Sequence, residues 1–292
     1  MSFQNKAERL DSGVQDVSTL GDILQRAKGL TAEQVEMALQ YQRQHGVRFG
    51  EAAVALGLAK QDDVIWALAQ QFHYPYAPQG GVSLHEDLIV ANDPFCEDVE
   101  AFRDVRSQLV MGVLADRERR RALAVTSSDI GDGKSFVVAN LAVAFGQLSG
   151  RTLLIDANLR QPKLHSLFGV DGSVGLSGIL AGRAPANVIK PVEHIPNLFM
   201  IPAGVVAPNP AELLQRASFS LLLRELLNKF DYVLVDTPSY AVGADARVIA
   251  FHCGAALIVG RKNASRVPHL QGLVKQLTKS DVKIAGILMN EY

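Results

Sequence analysis

Cysteine is scarce in this chain of 292 residues, since Cys96 and Cys253 are the only two. They lie far apart and have none of the paired spacings of a cysteine zinc site. Two distant cysteines also cannot form the dense network of a disulfide-stabilised scaffold. The sequence therefore predicts reduced thiols, as in a cytoplasmic protein.

Long apolar runs and an excess of one charge are missing as well. The most apolar stretch, residues 248–260, includes His252 and has 13 residues, whereas a membrane-spanning helix needs about 18 or more. The N-terminal residues lack the apolar core of a secretory signal peptide. Lys and Arg number 29 against 30 Asp and Glu, so nothing attracts the whole protein to nucleic acid or to an anionic membrane. We expect no nucleic-acid partner, and membrane association only through another protein.

The composition is that of a globular protein with room for two domains. Apolar residues make up 48% of the chain and charged residues 20%, and the length corresponds to about two domains of roughly 150 residues. Proline and glycine interrupt every periodic pattern between the two parts. We predict a helical domain over residues 1–77, a linker over residues 78–97 and an α/β domain over residues 98–292.

An internal repeat predicts the first domain. Residues 19–42 align with residues 48–71, with five residues between the two units. Each unit has the pattern of a short helix, a turn at Gly29 or Gly57, and a second helix. Two such units can cover each other's apolar faces, which predicts a small all-α domain.

Apolar strands alternate with amphipathic helices after the linker. Six strand segments lack polar alternation, as is typical of parallel strands buried on both faces, and they read RALAVTSS, TLLIDA, LFMIPAG, YVLVD, AALIVG and KIAGILMN. The predicted fold class is α/β, a doubly wound and mostly parallel sheet. Ligands of such a sheet bind beyond the carboxyl ends of its strands.

The segment after the first of these strands has the residues of a phosphate-binding loop. Its amide groups and the following helix N-terminus can face a polyphosphate. Lys134 would reach the β- and γ-phosphates, and the Ser135 hydroxyl would bind Mg²⁺. The usual first glycine of this motif is Ser128 here. The predicted nucleotide contacts in the loop are Ser128, Asp129, Ile130, Gly131, Asp132, Gly133, Lys134, Ser135 and Phe136.

Polar side chains end two other strands. Asp156 and Asn158 follow one strand, and Asp236 ends another. Either acid alone could cap a helix, and Gly-Lys-Ser alone is a common surface turn. Together they should meet at one edge of a parallel sheet, which predicts a site for ATP with Mg²⁺.

The motifs of residues 98–292 resemble those of bacterial tyrosine kinases that act with the chain-length determinants of exopolysaccharides and capsules. They are, in family order, TSSDIGDGKS, LLIDANLRQPKLHSLF, GLSGILAG, IPAGVVAPNPAELL, DYVLVDTPS and GILMN. The resemblance implies a P-loop NTPase fold of the deviant Walker type and an MgATP-dependent kinase that phosphorylates protein tyrosines. It further implies control of exopolysaccharide chain length, polymerisation or export, and a membrane chain-length determinant that holds the kinase at the inner face of the cell membrane.

The resemblance also assigns roles to the strand-end residues. Lys134, Asp156 and Asp236 would be catalytic, with Asp156 accepting the proton of the tyrosine hydroxyl. Ser135, Asp156, Asn158 and Asp236 would hold Mg²⁺. Asn158 stands where the family usually has a second aspartate and brings no charge, which predicts a weaker hold on the metal.

Other parts of the domain receive roles by the same resemblance. Asn290 would contact the adenine. Glu100, Arg103 and Arg106 lie three residues apart on one helix face; alone they would be a solvated row of weak ion pairs, but in the family this pattern joins subunits into a ring. Tyr292 is the predicted phospho-acceptor, because the chain ends without the family's tyrosine-rich tail.

The tandem repeat resembles the N-terminal domain of type II secretion and pilus-assembly ATPases, some of which bind cyclic di-GMP. The matching positions are Leu20, Gly21, Gln42, Arg48, Gly50, Gly57 and Gln71. The first unit has Thr19 in place of an arginine and Lys28 in place of a glycine. A cyclic di-GMP site and a protein-docking module both stay open for this domain.

Two other functions stay open for the whole chain. One is a non-kinase ATPase switch of the cell-division and plasmid-partition type, which carries a second lysine near the start of the loop, where this chain has Asp129. The other is a nucleotide-sensing assembly protein of the export complex, whose ATP site controls ring formation.

Overall fold

The computed structural model describes residues 19–71, 84–94, 96–116, 118–183, 187–193 and 195–291. The chain divides into two compact units, residues 1–80 and residues 81–292. Tyr292 and part of the predicted linker lie outside the described residues. Among the described residues, none of the helices combines the length and the apolar character that a membrane span requires.

The described part of the first unit is helical. Its helices are α1 (Leu20–Lys28), α2 (Ala32–His45), α3 (Phe49–Ala55) and α4 (Gln61–Gln71). Thr19 and Thr31 cap α1 and α2 with side-chain hydrogen bonds to the first turn. Gly29 and Gly57 turn the chain with φ of +68°, a conformation that glycine adopts without steric penalty. The predicted helix-turn-helix repeat is confirmed.

In the part of the second unit that the structure describes, seven strands form one mixed sheet. They are β1 (Ala122–Ser127), β2 (Thr152–Asp156), β3 (Lys190–Pro191), β4 (Leu198–Ile201), β5 (Tyr232–Asp236), β6 (Gly254–Arg261) and β7 (Lys283–Asn290), in the order β3-β4-β2-β5-β1-β6-β7. Only the short β3 pairs antiparallel; it was not predicted. The predicted mostly parallel α/β fold is confirmed.

Helices cover both faces of this sheet. They are α5 (Ile89–Asn92), α6 (Glu97–Met111), α7 (Lys134–Gly146), α8 (Leu164–Leu167), α9 (Leu176–Leu180), α10 (Pro210–Leu214), α11 (Ala217–Lys229), α12 (Asp245–Cys253) and α13 (Val267–Lys279). Leu123 and Val125 of β1 face the core under α6 and α7, whereas Ala122 and Ala124 face the core under α11 to α13. Helix α7 is apolar around most of its circumference because α5 and α6 cover its outer side.

Candidate active site

The loop between β1 and α7 has the backbone form of an anion-binding loop. Gly131 and Gly133 both have φ of +89°, which lies in the left-handed region. Helix α7 begins at Lys134, directly after Gly133. Its unpaired N-terminal amides and its dipole therefore supply positive potential where the phosphates of a nucleotide would lie.

Side chains from beyond β6 support this loop. Ser265 Oγ donates a hydrogen bond of 2.7 Å to Asp132 Oδ1, while the amide of Asp129 donates to Asp132 Oδ2 at 3.0 Å. His269 Nδ1 lies 3.1 Å from Asp129 Oδ1. Both oxygens of Asp132 thus have partners inside the protein, and its predicted contact with nucleotide stays a prediction. Ser265 and His269 were not predicted from the sequence, because no local spacing links them to a loop more than 130 residues earlier.

Asn290 lies at the end of β7 and contacts the phosphate-binding loop. Its Nδ2 donates to the carbonyl oxygen of Asp132 at 3.2 Å. A Cβ atom at Gly133 would lie only 2.1 Å from the same Nδ2. The predicted contact of Asn290 with adenine stays a prediction, but its position explains why residue 133 has no side chain.

Gly131 and Gly133 offer a matched pair of substitutions. They share the same φ, but a Cβ at Gly131 would meet nothing within 4 Å. We expect Gly131→Ala to cost the left-handed penalty of about 1–2 kcal/mol, and Gly133→Ala to cost about 1–3 kcal/mol more because Asn290 must move. Urea unfolding measures both losses, and calorimetry should show weaker ATP binding for Gly133→Ala. Equal losses from the two substitutions would contradict the crowding by Asn290.

Asp156 and Asp236 lie side by side at the ends of β2 and β5. The two residues are direct partners in the parallel register. Ser135 Oγ donates to Asp236 Oδ2 at 2.8 Å. Asp236 is fully buried, and its Oδ1 has no hydrogen-bond partner among the described residues. A buried carboxylate oxygen without a partner calls for an additional donor or a cation.

These residues fit Mg²⁺ better than a metal that needs a complete protein cage. The described residues contain no group of three or more His, Cys, Asp or Glu side chains that could hold a metal. Mg²⁺ is usually bound by one or two carboxylates together with waters and substrate phosphates. The hydroxyl of Ser135 and the carboxylate of Asp236 provide such oxygen ligands next to the phosphate-binding loop.

Backbone amides hold Asp156 from the loop after β2. Its Oδ1 accepts from the amide of Asn158 at 3.1 Å, and its Oδ2 accepts from the amide of Leu164 at 3.2 Å. The side-chain oxygen of Asn158 accepts from the amide of Gln161 at 3.2 Å. Asn158 therefore orders its own turn in this structure, and its role as a metal ligand stays a prediction.

An ion pair holds the same loop from another side. Arg160 Nε donates to Asp245 Oδ2 at 2.8 Å, and Nη2 donates to Oδ1 at 3.2 Å. Asp245, in the first turn of α12, is buried. This two-point contact restrains the loop that carries Asp156. Neither Arg160 nor Asp245 was predicted from the sequence as part of the site.

Burial dominates the electrostatics of the site. It raises the pKa of Asp156 to about 8, and the adjacent Asp236 carboxylate acts in the same direction. Burial also raises the pKa of Asp236, against the opposing effects of Ser135 and Lys134. The pKa of Lys134 is lowered by burial, although the carboxylates of Asp236 and Asp132 raise it. Two buried acids that repel each other favour binding of a cation between phosphate and protein.

The raised pKa of Asp156 predicts a pH-dependent stability of the metal-free protein. The pKa of folded Asp156 lies above its ordinary value of about 3.9, so this carboxyl binds more protons in the folded state than in the unfolded state between about pH 4 and pH 8. Its contribution to the free energy of unfolding should therefore fall as the pH rises through this range. We expect Asp156→Asn to flatten the slope in urea titrations with a chelator present. An unchanged slope would show that Asp156 is ionised in the folded protein.

Glu100, Arg103 and Arg106 lie on α6, as their spacing predicted. Arg103 pairs with Glu100 and donates to the carbonyl oxygen of Pro94, and the Arg103 side chain is 16% exposed against 68% for Glu100. Arg106 Nη1 donates to the carbonyl oxygen of Ala144 at 2.6 Å. Arg106 thus ties α6 to α7 within one chain, and the role of the three residues between subunits stays a prediction.

Two of the matched glycines of the first unit, Gly50 and Gly57, have structural explanations. A Cβ at Gly50 would lie 2.4 Å from Val64 Cγ1, whereas a Cβ at Gly21 would make only ordinary contact, 3.5 Å from the ring of Phe49. Helix packing therefore requires the small residue at position 50, and Gly57 serves the turn described above. Leu20, Gln42, Arg48 and Gln71 lie on or next to helix ends. The cyclic di-GMP site stays a prediction.

Known proteins share the motifs and the fold of the second unit. Residues 121–292, more than half of the chain, match the family model described as cellulose biosynthesis protein BcsQ. The tyrosine-protein kinase CpsD of Streptococcus agalactiae is 33% identical over 175 residues, which cover 60% of this chain and 76% of CpsD. This chain belongs to both families, that of BcsQ and that of the bacterial tyrosine kinases.

Other bacterial tyrosine kinases are longer. The tyrosine-protein kinase wzc of Salmonella typhi is 33% identical over 204 residues, which cover 70% of this chain but only 28% of wzc. The chain therefore spans less than a third of that relative's length.

Solved structures agree with the family. The kinase domain of the Escherichia coli tyrosine kinase ETK matches with a TM-score of 0.67 and 31% identity, covering 73% of this chain and 82% of that domain. The septum site-determining protein MinD of Pyrococcus horikoshii, solved with Mg-ADP, matches with a TM-score of 0.52 and 26% identity, covering 59% of this chain and 70% of MinD. The P-loop NTPase fold is confirmed, and the predicted ligands ATP and Mg²⁺ are consistent with it.

Proposed function

We propose that this chain is an MgATP-dependent protein-tyrosine kinase that phosphorylates itself or a partner protein. One observation carries the proposal: the register places Asp156 beside Asp236 at the edge where the phosphate-binding loop begins α7. Asp236 accepts a hydrogen bond from Ser135, the other predicted metal ligand. Asp156 accepts hydrogen bonds from backbone amides, and its pKa is raised. Asp236 can therefore bind the metal while Asp156 accepts the proton.

Phosphoryl transfer to a tyrosine needs a bound triphosphate and a base. Lys134 and the loop amides would hold the β- and γ-phosphates, while Ser135 and Asp236 would hold Mg²⁺. Bound Mg²⁺ would supply positive charge to the phosphate oxygens. Asp156 would accept the hydroxyl proton as the tyrosine oxygen bonds to the γ-phosphorus and the bond to ADP breaks. Because its pKa is raised, the Asp156 carboxylate is a stronger proton acceptor than an ordinary aspartate.

Family membership supports a role in exopolysaccharide production. We infer that the kinase regulates chain length, polymerisation or export of a polysaccharide, with a membrane chain-length determinant as its partner at the inner face of the cell membrane. Glu100, Arg103 and Arg106 would join copies into a ring that presents Tyr292 of one copy to the site of the next. A heterologous contact that closes on itself suits such phosphorylation in trans.

Two comparisons favour the kinase over an ATPase switch of the cell-division type. The TM-score is 0.67 for the ETK kinase domain and 0.52 for MinD. Asp129 also occupies the loop position where the switch proteins carry a second lysine, and His269 contacts it. An assembly protein whose ATP site controls ring formation remains a second candidate, because Asp132 and Asp129 link the loop to the segment after β6.

Phosphopeptide mass spectrometry tests the proposed activity. The purified protein would be incubated with MgATP, with and without the chain-length determinant. We expect phosphotyrosine at Tyr292 or on the partner. Tight ATP binding without phosphotyrosine in either condition would contradict the kinase and favour the assembly protein.

A further inference from the structure

Two sequence motifs without a role in the kinase chemistry converge on one groove. GLSGILAG supplies residues 175–182, and IPAGVVAPNPAELL supplies residues 201–214. Between them lies a cavity of about 580 Å³. Residues of its lining include Gly178, Arg183, Val205, Val206, Pro208 and Arg216.

The floor of this groove is held together by the backbone. The amide of Leu176 donates to the carbonyl oxygen of Pro202 at 2.8 Å, and the amide of Ser177 donates to that of Ala203 at 2.9 Å. A Cβ at Gly175 would lie 2.0 Å from the Pro202 oxygen. The two segments thus approach as closely as strands do, and only glycine fits at position 175. A floor of this kind is formed before any ligand binds.

One wall of the groove continues from β4, the strand that pairs with the one carrying Asp156. Strand β4 pairs with β2 so that Ile201 is the partner of Ile155. The chain after Ile201 therefore leaves the sheet about 5 Å from the strand end that carries Asp156, which is the ordinary strand spacing. The residues of the opposite wall come after α8 in the chain, and the first amide of α8 donates a hydrogen bond to Asp156. A polypeptide in the groove could place a side chain at the base.

The chemistry of the lining selects one kind of occupant. Among the described residues its charged lining residues are Arg183 and Arg216, and Arg216 Nη1 donates to the carbonyl oxygen of Leu180 at 3.3 Å. Val205 and Val206 are 73% and 57% exposed. The two exposed valines give apolar surface next to the charges, and the two guanidiniums complement carboxylates. A free phosphate would leave the valines uncovered, whereas an acidic peptide can cover both.

We infer that this groove binds an acidic segment of the acceptor protein next to its tyrosine. The inference rests on the proposed kinase function and names the substrate class of the same site. Glutamate or aspartate beside the tyrosine pairs with Arg183 and Arg216, while apolar side chains of the segment cover Val205 and Val206. Such remote binding orients the tyrosine hydroxyl at Asp156.

Charge reversal in the groove tests this inference. The probes are two short peptides with one tyrosine, flanked by glutamates in the first and by glutamines in the second. Fluorescence anisotropy measures their binding, and steady-state assays measure their phosphorylation. We expect the wild-type protein to prefer the glutamate peptide by about tenfold, as two charge pairs at a surface allow. Arg183→Glu combined with Arg216→Glu should abolish that preference and leave ATP binding unchanged.

Arg224→Glu, on the exposed side of α11, is the matched control and should keep the preference. An unchanged preference in the doubly reversed protein would overturn the inference. The inference would also be overturned if charge reversal changed only the self-association of the protein, measured by sedimentation. The groove would then join copies of this chain. If the wild-type protein binds the glutamate peptide but phosphorylates neither peptide, the kinase proposal fails while the groove's acid preference stands.

Discussion

Lys134→Met should reduce phosphoryl transfer to tyrosine by about 10³-fold or more. Lys134 is the first residue of α7 and is buried beside Asp236 and Asp132. Removing a charge that stabilises the transferred phosphoryl group costs about 10²- to 10³-fold in rate in comparable sites, and weaker ATP binding adds to this loss. Transfer of labelled phosphate from ATP measures the rate, and calorimetry measures binding.

A matched control separates this effect from a general loss of lysine. Lys229 lies on the exposed end of α11 and pairs with Glu225, so Lys229→Met should leave both rate and binding unchanged. The positive charge of Lys134 also stabilises two buried carboxylates, so its loss can lower the stability of the fold. Thermal unfolding of the variant must therefore be measured alongside the assay. A folded Lys134→Met protein that retains full phosphorylation would contradict the assigned site.

Asp156→Asn and Asp236→Asn should damage the reaction in different ways. Asp156→Asn removes the proton acceptor, so kcat should fall by about 10²- to 10⁴-fold while MgATP still binds. Asp236→Asn removes the carboxylate that Ser135 contacts, so MgATP affinity should fall and higher Mg²⁺ concentrations should recover part of the rate. Calorimetric titration measures the MgATP affinity of each variant, and rates at saturating nucleotide measure kcat. Together they separate the two effects.

Asp281→Asn serves as the control for both acids. Asp281 is exposed and has φ of +57°, a conformation that asparagine tolerates well. If Asp156→Asn lost nucleotide binding and Asp236→Asn lost only kcat, the assigned roles of base and metal ligand would have to be exchanged. Rates equal to wild type in both variants would contradict either role.

The local parts of the site were predictable from short segments. Glycines followed by Lys134 and Ser135 between a strand and a helix have few structural solutions, and the structure has the expected loop and helix start. Acids at the ends of apolar strands predicted a shared edge of the sheet, because all parallel strands end there. In each case a few neighbouring residues determine the backbone conformation.

Contacts between distant segments were not predictable in the same way. That Asp156 and Asp236 are direct neighbours follows from the strand order, in which β5 lies between β2 and β1. Ser265 reaches the phosphate-binding loop, and Arg106 bonds to α7 rather than only facing outward. Gly175 allows two backbone segments to touch, which no local pattern in its own motif predicts.

The sequence by itself determined the helical repeat, the alternation of strands and helices, and the residue types of the nucleotide site, because hydrophobic periodicity and turn chemistry are local properties. Only the tertiary structure decided which acids are adjacent, which groups brace the phosphate-binding loop, and that two motifs line one groove. Those outcomes depend on side chains far apart in the chain packing against one another, and no spacing within a single segment encodes that packing.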